Sequence, residues 1–294
     1  MPILYRKEIN DGLVADVVVV MCIHQGKDMV DWQIKNLQKF LKCNWILVLH
    51  YNNNDPTECI DEKLLPRNVF LTREVIESQR YTSLLLLAFV KCMKFAITHI
   101  KSTKIIMLSS GSAFAREVHM KDIPYAAFGG YQLKIDPHIV VSSKGEPFAV
   151  SQLGRICSLI DDKSKLWLYP QIDEDRFLKE SCLKRGFTVV KPSQCTGSVI
   201  PMQVAEWLVE DFDRIPQVIR YACEEVWTST YVYNWALQNN IEIPLPLCMI
   251  LIDWRNEYEV KTTHSMIKKI KENEAYGICK LPDDVNHILR KILV

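Results

Sequence analysis

The sequence predicts one α/β domain built on a mixed, mostly parallel sheet flanked by helices. Three observations carry that expectation. Residues 15–23 form a nearly unbroken, valine-rich apolar run, the pattern of a strand buried on both faces. A turn, a helical spacing and a second apolar run at 44–50 follow, which together make a βαβ unit. Polar residues collect just past both strands, at His24-Gln25-Gly26-Lys27-Asp28 and Tyr51-Asn52-Asn53-Asn54-Asp55-Pro56. Open α/β sheets hold ligands at that end of their strands.

The remaining elements follow in order. Val30, Ile34, Leu37 and Leu41 recur at helical spacing between the first two strands. Residues 68–71 read as a short third strand. Ser78-Gln79-Arg80-Tyr81 leads into a long apolar helix reaching about His99, and 104–108 is a fourth strand that ends in Ser109-Ser110-Gly111-Ser112. The pattern weakens over 125–164, where loops with one or two strands are expected. Residues 166–170 are strand-like, 173–185 helical and 187–190 a strand. Gln194-Cys195-Thr196-Gly197-Ser198 makes a small-residue corner before a helix through Glu206-Trp207-Leu208, and a second helix opens on Cys223-Glu224-Glu225. Residues 241–253 are apolar and punctuated by proline, 263–274 helical, 276–280 strand-like, and 285–293 a terminal helix. No internal repeat or linker interrupts 1–294, so a single domain is expected.

Composition narrows the function classes. The 294 residues are 48% apolar and 24% charged, an ordinary globular balance. A net charge of +1 gives no basic field, and no Lys/Arg cluster interleaved with aromatics appears, so nucleic acid is not an expected partner. Lys268-Lys269-Ile270-Lys271 reads as a solvated helix face. The ten cysteines are scattered, form no CxxC pair and sit mostly in apolar runs, as buried free thiols of a reducing compartment do. The apolar runs 17–23 and 84–90 are too short to span a bilayer, and 1–11 has no apolar signal core. The expectation is a cytoplasmic protein. Neither GxGxxG nor GxxxxGK[ST] occurs, so neither a dinucleotide fingerprint nor a P-loop is present.

Several blocks fall in an order that resembles the core-2/I-branching N-acetylglucosaminyltransferase and peptide xylosyltransferase family. They are the first strand ending in His24; the second ending in His50-Tyr51-Asn52; Ser78-Gln79-Arg80-Tyr81 before a long helix; and Met107-Leu108-Ser109-Ser110-Gly111. Gln194-Cys195-Thr196-Gly197-Ser198, Glu224-Glu225, Leu251-Ile252-Asp253-Trp254 and Tyr276-Gly277-Ile278-Cys279-Lys280 complete the series. Together they cover most of the chain. The resemblance implies a Rossmann-like GT-A fold and an inverting, nucleotide-sugar-dependent glycosyltransferase. Its nucleotide-sugar half would be about 15–112 and its acceptor and catalytic half about 113–294. The family usually carries a membrane anchor and lumenal disulfides, neither of which is expected from these residues, and the chain departs from it in carrying Asn52 where Asp is frequent and in reading Cys223-Glu224-Glu225 where Pro-Asp-Glu is usual.

The chemistry that the resemblance implies is the transfer of xylose or N-acetylglucosamine from a UDP-sugar to a hydroxyl of a glycan or glycoprotein. Many GT-A enzymes neutralise the leaving diphosphate with a metal held by Asp-x-Asp after the fourth strand. That position here is Ser109-Ser110-Gly111-Ser112, without a carboxylate. The family resembled works without metal and uses basic side chains; Lys280 matches its carboxyl-terminal lysine, and Lys261 a second base, with His264 competing for that role. Glu225 matches the catalytic glutamate, taking the acceptor proton as that oxygen attacks C1. By themselves Glu224 and Glu225 read as helix-start acids, favoured by the helix dipole. His24, Asn52, Arg80, Tyr81, Ser109 and Ser110 are expected to line the nucleotide-sugar pocket. Gly197 and Ser198 are expected to form the backbone corner under the acceptor, and Trp227 to stack on a sugar or fill the core. Two alternatives stand beside this reading. One is a metal-dependent transferase using Asp173 and Asp175, although those acids, like Asp211-Phe212-Asp213, read as solvated. The other is a non-catalytic glycan- or nucleotide-binding protein.

Overall fold

The structure is a computed structural model that describes residues 3–9, 12–53, 55–77, 82–127, 148–150, 156–158, 172, 174–191, 195–244, 246–250, 272, 276–279 and 281–294. Its main elements are β1 (Val17–Ile23), α1 (Lys27–Phe40), β2 (Trp45–Tyr51), β3 (Val69–Leu71), α2 (Ser83–His99), β4 (Lys104–Ser109) and β5 (Ala113–Phe114). They continue with β6 (Phe148–Val150), β7 (Ile156–Ser158), α3 (Arg176–Lys184), β8 (Val189–Val190), β9 (Ser198–Pro201), α4 (Met202–Phe212) and α5 (Cys223–Gln238). The chain closes through β10 (Cys248–Ile250), β11 (Gly277–Cys279) and α6 (Ile288–Leu293).

The main sheet has five strands in the order β9-β4-β1-β2-β3. β4, β1, β2 and β3 are parallel, and β9 runs antiparallel on the edge beside β4. The architecture is therefore Rossmann-like α/β. All seven residues of β1 and of β2 are buried because helices cover both faces. Successive side chains alternate between those faces. Val18, Val20 and Cys22 pack toward α2, α4 and α5, whereas Val17, Val19, Met21 and Ile23 meet Met29, Val30, Ile34 and Leu37 of α1. Each such buried side chain contributes about 1.5–3 kcal/mol.

β9 is the main-sheet strand absent from the sequence reading, which took its residues only as part of a corner. It pairs Ser198 with Met107 and Pro201 with Lys104. Pro201 ends an edge strand, where a missing N–H is tolerated. Of the sixteen residues of α5, twelve are buried, so no polar stripe marks a solvent face and the helix runs through the core. A second sheet, β5-β11-β10, ties the carboxyl-terminal segments to the chain just after the 109–112 turn. The weakly patterned stretch contains the antiparallel pair β6 and β7, with β8 on the other side of β6. The strand expected at 166–170 and the helix at 263–274 lie outside the described residues apart from Glu272, as does the lysine run at 268–271.

The nine cysteines whose side chains are described are all free thiols, seven of them buried. Among the described residues, no helix is long and apolar enough to cross a membrane.

Candidate functional site

The order of the strands locates the site. The chain adds β2 and β3 on one side of β1, then crosses to lay β4 on the other. The winding reverses between β1 and β4, and in open α/β sheets the crevice at such a reversal, outside the carboxyl ends of the strands, receives the ligand. His24, Gln25, Ser109 and Ser110 stand at those two ends.

Gln25 spans the crevice. Its Nε2 donates to Ser110 Oγ at 2.8 Å and to Asp283 Oδ1 at 2.8 Å. His24 is exposed, its N–H donates to Gln25 Oε1 at 3.2 Å, and its carbonyl accepts from Asn53 Nδ2 at 3.2 Å. Asn52 is half-buried; its N–H donates to the Ile23 carbonyl at 3.0 Å and its Nδ2 to the Ile76 carbonyl at 3.0 Å. The serines after β4 form a tight turn: Ser112 N donates to the Ser109 carbonyl at 3.0 Å, and the Ser109 and Ser112 hydroxyls lie 2.8 Å apart. Below the turn, Gln33 Nε2 holds the Ser110 and Ser112 carbonyls at 2.8 and 2.9 Å, and Arg290 Nη2 donates to the Ser110 carbonyl at 2.9 Å.

The start of α1 shows how this crevice differs from a dinucleotide site. A helix N-terminus attracts anions through its dipole and free N–H groups. Here Glu58 already occupies that place, because Lys27 N donates to its Oε2 at 2.8 Å. Gly26 makes the arrangement possible with φ +138; a Cβ there would stand 2.9 Å from the same carboxylate oxygen. A phosphate arriving at α1 would meet a carboxylate, which agrees with the absence of GxGxxG.

The β9 side of the crevice is built on Gly197. Its φ is +81, its N–H donates to the Met107 carbonyl at 2.7 Å, and its carbonyl accepts from Leu247 N at 2.9 Å. Ser198 follows at 0% exposure, with its hydroxyl unpartnered, so that side chain does not reach the surface. His50, Cys22 and Ser109 form one row across β2, β1 and β4. His50 and Cys22 in that row are buried. Burial pulls the His50 pKa down to about 4, and its Nε2 accepts from Ile76 N at 2.9 Å. Burial also pushes the Cys22 thiol up, assisted by its hydrogen bond with Cys92 and by the nearby charge of Glu224. Glu224 is buried, 8% exposed, while its neighbour Glu225 is half-buried.

Two sequence-derived candidates, and two acids read as solvated, have other duties. Trp227 is fully buried; it stacks on Tyr231, meets the Phe212 ring edge-on, and donates from Nε1 to Asp175 Oδ2 at 3.0 Å. It has no open face for a sugar and belongs to the core. Asp175, read as solvated, is 3% exposed; it caps α3 by accepting from Leu178 N and also accepts from Tyr221 Oη at 2.5 Å. Asp211 and Asp213 are not free solvated acids either. Asp211 pairs with Arg185 and Lys184 and accepts from Tyr231 Oη, and Asp213 pairs with Lys91 and Lys94. Among the described residues, no group of three His, Cys, Asp or Glu side chains is arranged to hold a metal ion.

Arg80, Tyr81, Lys261, Lys280, His264 and Asp173 lie outside the described residues. On either side of residue 280, Cys279 pairs in β11, and Leu281 N donates to the Gly111 carbonyl at 2.8 Å. Gln25, Gln33, Glu58, Asp283 and Arg290 were not among the candidates. Gln25 had a positional signal, being next to His24 at a strand end; the others sit in segments that look like ordinary helix or loop.

A cleft of about 460 Å³ opens where the amino end of α3 meets the loop leading to α5, and its lining includes Glu174, Arg176, Phe177, Gln217 and Arg220. Compared with known proteins, the chain matches no family model and no curated sequence.

Proposed function

We propose that this chain is an inverting, metal-independent glycosyltransferase of the GT-A type. It would move xylose or N-acetylglucosamine from a UDP-sugar to a hydroxyl of a glycan or glycoprotein. The observation that carries the reading is the crevice between β1 and β4, lined by Gln25, Ser109 and Ser110 while Glu58 closes the α1 terminus. A nucleotide diphosphate held there would meet the serine hydroxyls and the Gln25 amide, which it would share with Asp283, and the turn beneath it brings no carboxylate of its own. The ordered blocks of sequence add the reaction class.

In the proposed step the acceptor hydroxyl attacks C1 of the sugar, its proton passes to a carboxylate, and the C1–O bond to UDP breaks with its electron pair leaving on the diphosphate. Glu225 suits the base better than Glu224. A base must reach the acceptor and later return its proton to water, and Glu225 is half-buried whereas Glu224 is buried. Lys280 would meet the charge on the departing UDP. The cleft between Arg176, at the start of α3, and Arg220, just before α5, would offer room for an acceptor. The metal-dependent alternative loses support at Asp175, whose carboxylate is committed to three donors inside the protein. The free thiols suit a reducing, cytoplasmic setting.

The test is thermal stability with UDP, UDP-xylose and UDP-N-acetylglucosamine, each with and without EDTA, followed by UDP release with glycan acceptors. A bound nucleotide raises apparent stability, and the rise should survive EDTA. Glu225→Gln should abolish transfer and leave UDP binding nearly intact, whereas Lys280→Ala should lower both turnover, by about a hundredfold, and UDP affinity. A protein that binds UDP but turns over nothing, with Glu225→Gln silent, is a binding protein. No response to any uridine nucleotide ends the proposal.

A further inference from the structure

Resting on that reading, we propose that Arg290 is a positioning residue for the leaving diphosphate. Its buried guanidinium fixes the 109–112 turn from behind and supplies the standing positive charge of the crevice, opposed at the surface by Asp283.

Arg290 is 0% exposed. Its Nε donates to the Pro282 carbonyl at 2.6 Å, its Nη2 to the Ser110 carbonyl at 2.9 Å, and Nη1 has no hydrogen-bond partner. The guanidinium lies 4.5 Å from the centre of the Trp32 ring. It is held by carbonyls and an aromatic face, with no carboxylate in direct contact among the described residues. Buried charges are ordinarily paired, because taking an ion out of water costs several kcal/mol. Burial does pull the Arg290 pKa down, to about 10, against the opposing pull of Asp283 and Asp284. The group remains a cation at neutral pH.

Its location gives that charge a use. Ser110 is the residue on which the crevice turns: its carbonyl faces Arg290 and its hydroxyl accepts from Gln25. The same Gln25 amide donates to Asp283, so a carboxylate already sits beside the place offered to the diphosphate. Arg290 favours an anion there and Asp283 disfavours one. An anion that enters must compete with Asp283 for Gln25. The two residues therefore act on affinity in opposite directions, which a purely architectural role for Arg290 does not require. Such a role is the competing account, since Arg290 also docks α6, accepting at its carbonyl from Trp32 Nε1 at 3.3 Å.

The experiment titrates the full chain with inorganic pyrophosphate and with UDP, comparing wild type with Arg290→Lys, Arg290→Gln and Asp283→Asn. Folding is checked by circular dichroism, and transfer kinetics are measured where there is turnover. Removing the charge in Arg290→Gln should weaken both ligands by roughly tenfold, the scale of one charge pair several ångströms apart in a partly dehydrated site. Arg290→Lys keeps the charge without the fork and should recover most of that loss. Asp283→Asn should tighten pyrophosphate severalfold. In turnover, Arg290→Gln should lower kcat while leaving KM for the acceptor nearly unchanged. Equal losses in the Lys and Gln variants, or no tightening in Asp283→Asn, would overturn the proposal and leave Arg290 as an anchor for α6. If the Arg290 variants do not fold, a lack of tightening in Asp283→Asn still overturns the proposal. Pyrophosphate binding with these charge responses but no sugar transfer would sink the transferase reading and leave the anion site standing.

Discussion

Trp227 Nε1 donates to Asp175 Oδ2 at 3.0 Å, and this one hydrogen bond joins two residues that the sequence offered for separate functional roles. Trp227 was a candidate sugar platform and Asp175 a candidate metal ligand. Together with Tyr221 they form a buried polar cluster that fixes the amino ends of α3 and α5 against each other.

Asp175→Ala should therefore act on stability. It removes the cap of α3 and leaves the Tyr221 hydroxyl and the Trp227 N–H buried without their acceptor, which should cost about 3–5 kcal/mol. Asp175→Asn keeps an acceptor and should cost less. Urea unfolding with and without Mn²⁺ measures both. Unchanged stability in the variants, together with loss of an Mn²⁺-dependent activity that the wild type shows, would return Asp175 to the role of ligand.

Gly197 is a position where the backbone itself is the constraint. A Cβ there would stand 2.5 Å from the Cys248 nitrogen, on a residue with φ +81. Gly197→Ala should lose about 2 kcal/mol or more from the left-handed backbone and the clash together. Gly12 is the control: its φ is +85, but nothing lies within 4 Å of its would-be Cβ. Gly12→Ala should lose only the conformational part, about 1 kcal/mol. Equal losses in the two variants would show that Cys248 yields to the added methyl.

His50 makes stability depend on pH. Its folded pKa is about 4, below its ordinary value of 6.5, because burial disfavours the imidazolium. Between these values the unfolded chain takes up a proton that the native state refuses, so stability falls as pH falls. The contribution is complete above pH 6.5, declines by up to about 1.4 kcal/mol per pH unit toward pH 4, and levels off below. His50→Gln retains an acceptor for Ile76 N and does not titrate. Its urea midpoint should fall less than that of the wild type between pH 6.5 and 4.5. Parallel curves would mean that His50 is protonated in the native state.

The sequence by itself determined the βαβ opening, the long α2, the four parallel strands and the polar strand ends. Those features are local: an unbroken apolar run of strand length or a helical spacing states which faces must be buried, whatever buries them. It also limited β9, a four-residue strand ending in proline, to a corner, since so short a run carries no period of its own. Tertiary structure decided which polar residues are structural and which face the crevice. Asp175 meets Trp227 across 52 positions and Arg290 meets Ser110 across 180, and no local pattern encodes such partners. A lone Asp in a polar segment and an Arg in a terminal helix look solvated in sequence. Only the packing of distant segments brings the donors and carbonyls that keep them inside, and only the crossover to β4 sets Gln25 opposite Ser110.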